Sequence, residues 1–167
     1  LLNTESRTVD LADVMFIGGI VFDFNRKSAI HHIEPGKRIL LVKNREAFLF
    51  RYPETDPATI AGEYGLQLSD DGEEIVIIDA GGDDIVRFTY NDRKPWPRSV
   101  DGNGNTLTLR KPESNPDPSD ASNWRSNAGS PGTDDRTSLT SWLATNGLAD
   151  PNGDPDGNGI TNMMAYA

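Results

Sequence analysis

The sequence predicts an all-β fold: an antiparallel β-sandwich of immunoglobulin-like size, followed by a short helix and an Asp-rich loop. Short apolar runs rich in Ile, Val and Leu recur along residues 1–111. Turn pairs such as Pro35-Gly36 and Gly81-Gly82 separate these runs. This spacing fits an antiparallel sandwich better than a parallel sheet, whose strands would need crossover helices between them.

Five strands and one short helix are predicted in order along this part of the chain. The helix is expected at residues 44–52, where Ala47, Phe48 and Tyr52 share one helical face. The strands are expected where β-branched or alternating apolar residues follow a turn, at residues 19–24, 38–43, 74–79, 85–90 and 105–110.

The remainder of the chain has a different composition. Residues 112–136 show no hydrophobic period and are interrupted by prolines, so we expect them to lie against the sandwich through Trp124. A helix is predicted at residues 138–146, because Leu139, Trp142 and Leu143 form an apolar stripe that ends before Gly147.

Charge divides the chain in the same way. The formal net charge is −10, of which residues 1–111 carry −4 and residues 112–167 carry −6. This acidity argues against a protein that tracks nucleic-acid phosphates, and no apolar run is long enough for a membrane span. The absence of cysteine excludes disulfides and thiolate metal sites.

Several short motifs follow one another in an order that resembles the bacterial branch of the lamin tail domain. The most specific block consists of Tyr90-Asn-Asp92, Pro95-Trp-Pro97, and Asp101-Gly102 with Gly104, Leu107 and Leu109. Asn123-Trp-Arg125 follows this block, near the place where the family's domain usually ends. The resemblance covers about residues 1–133 and implies an immunoglobulin-like β-sandwich, with residues 134–167 as a separate helix and loop. It carries no catalytic residues with it.

The resemblance also implies a role and a location. Such domains are non-catalytic accessory modules of larger secreted or envelope-associated bacterial proteins, so we expect a protein or cell-surface partner and no enzyme activity. The family normally has a further strand ahead of the segment where this chain opens. We therefore expect an exposed sheet edge, and with it a tendency to dimerise by edge-strand pairing.

The last segment has the spacing of a calcium-binding loop. Carboxylate and amide oxygens placed two residues apart on a tight loop can surround one Ca²⁺ ion. The expected metal ligands are the side chains of four residues and one backbone carbonyl: Asp154, Asp156, Asn158, Ile160 (carbonyl) and Asn162. The segment resembles the calcium-binding repeats of dockerins and thrombospondin type-3 domains, whose twelfth position is generally a bidentate Glu. Because Ala165 stands there, we expect calcium binding to be weak, with Asp150 or Asn152 as an alternative source of the missing oxygen.

Two pairs of adjacent residues and a group of aromatic residues are further candidates for functional sites. His31 and His32 are adjacent, and so are Glu73 and Glu74, so in a strand each pair points to opposite faces and does not converge on one metal or substrate. The aromatic residues around Trp96 leave open a carbohydrate- or cell-wall-binding module as an alternative function. A fragment of a larger enzyme, with its catalytic part outside this chain, is a second alternative.

Overall fold

The computed structural model describes residues 1–98 and 104–133, together with residues 143, 148, 150, 152–154 and 161. The chain divides into two compact units, Leu1–Gly132 and Thr133–Ala167. Strands predominate over helices in the described part, so the prediction of a β-rich fold is confirmed. No helix in that part has both the length and the apolarity that crossing a bilayer requires.

Ten strands are described, and most of them are short. They are β1 (Val9–Asp10), β2 (Met15–Gly18), β3 (Phe22–Asp23), β4 (His32–Ile33), β5 (Leu40–Val42), β6 (Ile60–Glu63), β7 (Gly72–Ile78), β8 (Asp84–Asn91), β9 (Asn105–Leu109) and β10 (Trp124–Ala128). Within the described residues of the first unit, two α-helices accompany them, α1 (Phe24–Lys27) and α2 (Arg45–Arg51), with 3₁₀ turns at Pro57–Thr59, Pro112–Ser114 and Ala121–Asn123.

The strands form one larger sheet and three pairs. The larger sheet has the order β3-β2-β7-β8 and is antiparallel throughout. The pairs β1–β4 and β9–β10 are also antiparallel. The pair β5–β6 is parallel, so the expectation of a wholly antiparallel arrangement is wrong at this point. Parallel neighbours need a crossover connection, and the segment containing α2 supplies it.

The predicted strand at residues 19–24 is largely wrong. Gly19 has φ +71°, a left-handed conformation that breaks the extended run, and only Phe22–Asp23 pair as a strand. The chain then turns into α1, because the Asp23 carboxylate accepts hydrogen bonds from the backbone N–H groups of Asn25 and Arg26. The predicted strands at 38–43, 74–79, 85–90 and 105–110 correspond to β5, β7, β8 and β9.

The hydrophobic core joins the large sheet to the shorter elements around it. Phe22 and Phe24 are fully buried, and their rings meet edge to face at 4.9 Å between centroids. Phe16 of β2 and Ile77 of β7 extend the core along the large sheet. Ala61 of β6 brings the parallel pair into the same cluster.

The second unit is described only in part. Leu143 is helical and 6% exposed, and its carbonyl accepts a hydrogen bond from Leu148 N at 2.8 Å. The rest of the helix predicted at residues 138–146 lies outside the described residues. Asp150 forms a turn in which its side chain accepts from Asn152 N at 2.9 Å and its carbonyl accepts from Gly153 N.

Candidate functional site

An open groove lies on one face of the β7–β8 hairpin, beside the part of that face that is buried in the core. In the register of these strands, Ile77 pairs with Val86, Ile75 with Phe88 and Glu73 with Tyr90. Since side chains alternate across a strand, these pairs all lie on one face of the sheet. Ile77 is buried in the core, whereas Phe88 and Tyr90 are half-buried and line the groove. The groove is therefore a continuation of the core face.

The opposite wall of the groove comes from β9 and β10. Leu107 of β9 and Trp124 of β10 line it, and Trp124 packs against Phe88 with ring centroids 5.6 Å apart and planes 25° apart. The Trp124 indole N–H donates to the Pro118 carbonyl at 2.9 Å, so this ring has a fixed orientation. For the described residues 112–133, this contact agrees with the expectation that the stretch lies against the strands through Trp124.

Trp96 is buried beside Trp124. It is 8% exposed, and its ring lies 5.8 Å from that of Trp124 between centroids. Trp96 is not among the residues that line the groove. The alternative of a carbohydrate-binding module names Trp96 together with its neighbouring aromatic residues. Of these, Tyr90 and Trp124 are half-buried and line the groove, whereas the Trp96 ring is buried outside the lining.

The third wall is the loop before β7. Leu68, Ser69 and Asp70 line the groove from this side. The Tyr90 hydroxyl lies 2.7 Å from the Ser69 carbonyl oxygen and 3.1 Å from Glu73 Oε1, so its one proton can be donated to either acceptor. Glu73 Oε1 also accepts from the Ser69 backbone N–H at 2.5 Å. These bonds join the loop, β7 and β8 into one framework.

The electrostatics of this framework favour a neutral Tyr90. Burial is the largest cause, followed by the hydrogen bond to Glu73 and the negative charges of Glu73 and Asp70, and together they raise the pKa of Tyr90 well above its ordinary value. The ring is consequently a fixed, uncharged surface across the ordinary pH range.

The size and lining of the groove suit non-covalent binding. Its volume is about 640 Å³, which is within the range of small-ligand sites. Apolar surface dominates, and the polar groups come from Ser69, Asp70, Asn105 and Thr106. Among the described lining residues, Asp70 carries the only formal charge, so the groove offers ring faces and hydrogen-bonding groups and no cation.

The paired residues singled out in the sequence do not converge. Glu73 faces Tyr90, whereas the neighbouring Glu74 faces the other side of the sheet and accepts from Arg87 Nη1 at 2.8 Å. His32 lies in β4 with Nε2 3.7 Å from Asp10 Oδ1, and both side chains are exposed. The expectation that adjacent residues point to opposite faces is confirmed for the glutamates.

Most of the predicted calcium loop lies outside the described residues. Asp154 is described and half-buried, while Asp156, Asn158, Ile160 and Asn162 are not described. Within the described part of the chain, no group of three or more His, Asp or Glu side chains is arranged to hold a metal ion. The calcium site therefore stays a prediction.

The groove as a unit is not predictable from the sequence. Ile75 and Ile77 on β7, like Phe88 and Tyr90 on β8, are two residues apart, and this period identifies one apolar face. A sequence pattern does not show which part of that face is covered. Which part of the face stays uncovered depends on where β9 and β10 pack, and this is a long-range property.

The chain was also compared with known proteins. No protein-family model, no curated protein and no solved structure matches it.

Proposed function

We propose that the chain is a non-catalytic interaction module of a larger secreted or envelope-associated bacterial polypeptide, and that the groove between β7–β8 and β9–β10 is its binding surface. The observation that carries this proposal is the open groove itself. Aromatic rings and polar side chains line it together, and a framework of hydrogen bonds fixes Tyr90. A preformed concave surface with this mixture is the usual form of a binding site.

The finer fold assignment is part of the same proposal. We take the β7–β8 and β9–β10 hairpins as facing layers of an immunoglobulin-like sandwich related to the lamin tail domain. The order of the sequence motifs supports this, and so does the stacking of Phe88 on Trp124 from one hairpin to the other. Non-catalytic modules of that family act within larger proteins, which is the source of the proposed location.

The test compares two leucines in the same loop. Leu68 is 41% exposed and lines the groove, whereas Leu66 is 61% exposed and does not line it. Purified chain is mixed with a bacterial cell-envelope preparation, and the fraction retained after washing is measured. We expect Leu68→Arg to lose at least half of the retention, because a long charged side chain at this position obstructs the groove.

Leu66→Arg is the matched control and should be retained like the parent chain. If both variants are retained equally well, or if the parent chain is not retained at all, the proposal is wrong. Thermal melting of both variants checks that the fold is intact, since substitutions at exposed positions change stability little.

We also propose that the tail binds calcium weakly, through Asp154, Asp156, Asn158, the carbonyl of Ile160 and Asn162. The support for this is the spacing of oxygen-bearing residues. Calcium binding of this strength would act outside cells, where the ion is abundant.

A further inference from the structure

We infer that the groove binds a neutral carbohydrate chain. This inference rests on the proposed function and names the chemical class of ligand for the same surface. It is carried by the combination of fixed aromatic rings, polar lining residues and the absence of cationic side chains among the described lining residues.

The rings supply surfaces for stacking. The face of an aromatic ring is electron-rich, so it attracts the polarised C–H groups on the flat face of a pyranose ring. Tyr90 is held in place through its hydroxyl, and Trp124 through its indole N–H. A ligand that stacks on them does not have to immobilise them first, which removes part of the entropic cost of binding.

Polar residues of the lining supply partners for sugar hydroxyls. Asn105, Thr106 and Asp70 line the same groove as the rings and carry an amide, a hydroxyl and a carboxylate. Such groups can accept and donate the paired hydrogen bonds that vicinal hydroxyls offer.

Charge selects a neutral chain over an acidic one. Asp70 is the charged residue in the described lining, and the whole chain has a net charge of −10. Phosphates, sulfates and uronic acids would be repelled and would find no Lys or Arg among those lining residues to bind them. Nucleic acids are disfavoured for the same reason.

The first test asks whether the chain binds neutral oligosaccharides and not an acidic one. Binding of neutral hexasaccharides of glucose, xylose, mannose and N-acetylglucosamine is measured by calorimetry, with hexagalacturonate as the acidic counterpart. We expect at least one neutral hexasaccharide to bind with Kd of about 1 mM or tighter, and hexagalacturonate not to bind.

Two variants of Tyr90 then distinguish stacking from hydrogen bonding. Tyr90→Phe and Tyr90→Leu both remove the hydroxyl, and only Tyr90→Leu removes the ring. We expect Tyr90→Phe to bind within about threefold of the parent and Tyr90→Leu to bind about tenfold more weakly, the loss that follows from about 1.4 kcal/mol. Equal affinities in the two variants would overturn the stacking role.

A second pair of variants tests the same inference if Tyr90→Leu does not fold. Thr106 is exposed at the groove, whereas Thr89 is exposed on the opposite face of β8. Thr106→Arg should abolish carbohydrate binding and Thr89→Arg should not. If no neutral hexasaccharide binds while Leu68-dependent retention on envelopes persists, this inference is wrong and the proposed function stands. If the retention also fails, both are wrong.

Discussion

The Tyr90 hydroxyl joins three parts of the chain that are distant in sequence. Its oxygen lies within hydrogen-bonding distance of the Ser69 carbonyl in the loop and of Glu73 on β7, while its ring belongs to β8. A hydrogen bond of this kind contributes about 1 kcal/mol to stability, and more if a buried acceptor is left without its donor. One side chain therefore stabilises the groove as well as lining it.

The first prediction concerns the stability of Tyr90→Phe. We expect the free energy of unfolding to fall by about 1 kcal/mol, since the ring stays and the hydroxyl's bonds are lost. Urea unfolding at pH 8 measures it. A change of less than about 0.3 kcal/mol would mean that the framework around Tyr90 contributes no net stability.

The same residue gives a pH prediction. The pKa of Tyr90 is raised in the folded chain above the ordinary value of 10.0, so above this pH the unfolded chain binds fewer protons than the folded one. The stability that this pKa difference contributes to the folded chain is fully present below pH 10 and is lost as the pH rises through the pKa of Tyr90 in the folded chain. The stability difference between the parent chain and Tyr90→Phe should therefore narrow above pH 10. A difference that widens there would contradict the assignment.

At the scale of elements, the close packing of β6 against the Phe22 ring of β3 requires a residue without a Cβ at position 62. A Cβ on Gly62 would lie 2.8 Å from the Lys27 carbonyl oxygen and 2.8 Å from the fully buried Phe22 ring. Neither neighbour can move cheaply, because one is backbone and the other is core. We expect Gly62→Ala to lower the free energy of unfolding by about 1–3 kcal/mol, measured by urea unfolding.

Gly65→Ala is the matched control for Gly62→Ala. Its added Cβ would lie no closer than 3.5 Å to any neighbouring atom, so its effect should stay within about 0.5 kcal/mol. If the two variants are equally stable, β6 does not approach Phe22 as closely as described.

Helix α2 gives a prediction about capping. The Asn44 side chain accepts from Ala47 N at 2.7 Å, and α2 has no buried residue, so its own ends matter for its stability. Asn44→Ala should cost about 1 kcal/mol in urea unfolding, and Asn44→Asp should cost much less because it keeps the acceptor. Equal losses for the two variants would show that the cap does not act as described.

These elements show what local sequence patterns can and cannot predict. The β7–β8 hairpin and α2 were predictable because each is long enough to show a period and is bounded by a turn or a cap. The strands β1 and β4 have two residues each, too few for any period. The parallel pairing of β5 with β6 depends on tertiary contacts. Residues 19–24 have the alternation of a strand, but Gly19 and the Asp23 cap override it.

At the scale of the whole molecule, the candidate calcium loop and the groove belong to different units of the chain. Residues 133–167 carry −4 of the formal net charge of −10, and the candidate calcium ligands lie among them. The groove belongs to the unit Leu1–Gly132 and is lined mostly by uncharged side chains. Of the aromatic residues considered for a site from the sequence, Tyr90 and Trp124 line the groove and Trp96 does not. The sequence does not predict their arrangement, because the uncovered face depends on how the strand pairs pack.

Calcium should stabilise the chain if the tail binds it. At a concentration ten times Kd, an ion that binds only the folded state adds about 1.4 kcal/mol to the free energy of unfolding. We expect millimolar Ca²⁺ to raise the melting temperature and to change Trp142 fluorescence, and Asp154→Ala to lose both effects. Asp71→Ala removes a carboxylate from the other unit and should keep them. Identical responses in both variants would exclude the proposed loop.

The central claim is that the groove contacts the binding partner, and site-specific photo-crosslinking tests it most directly. A photo-crosslinking amino acid is placed at Thr106, at the groove, or at Thr89, on the opposite face of β8. Each protein is irradiated with the cell-envelope preparation. We predict crosslinked products from position 106 that are absent from position 89 and disappear when Leu68→Arg is added. Equal crosslinking from both positions, or crosslinking from position 89 alone, would contradict the claim.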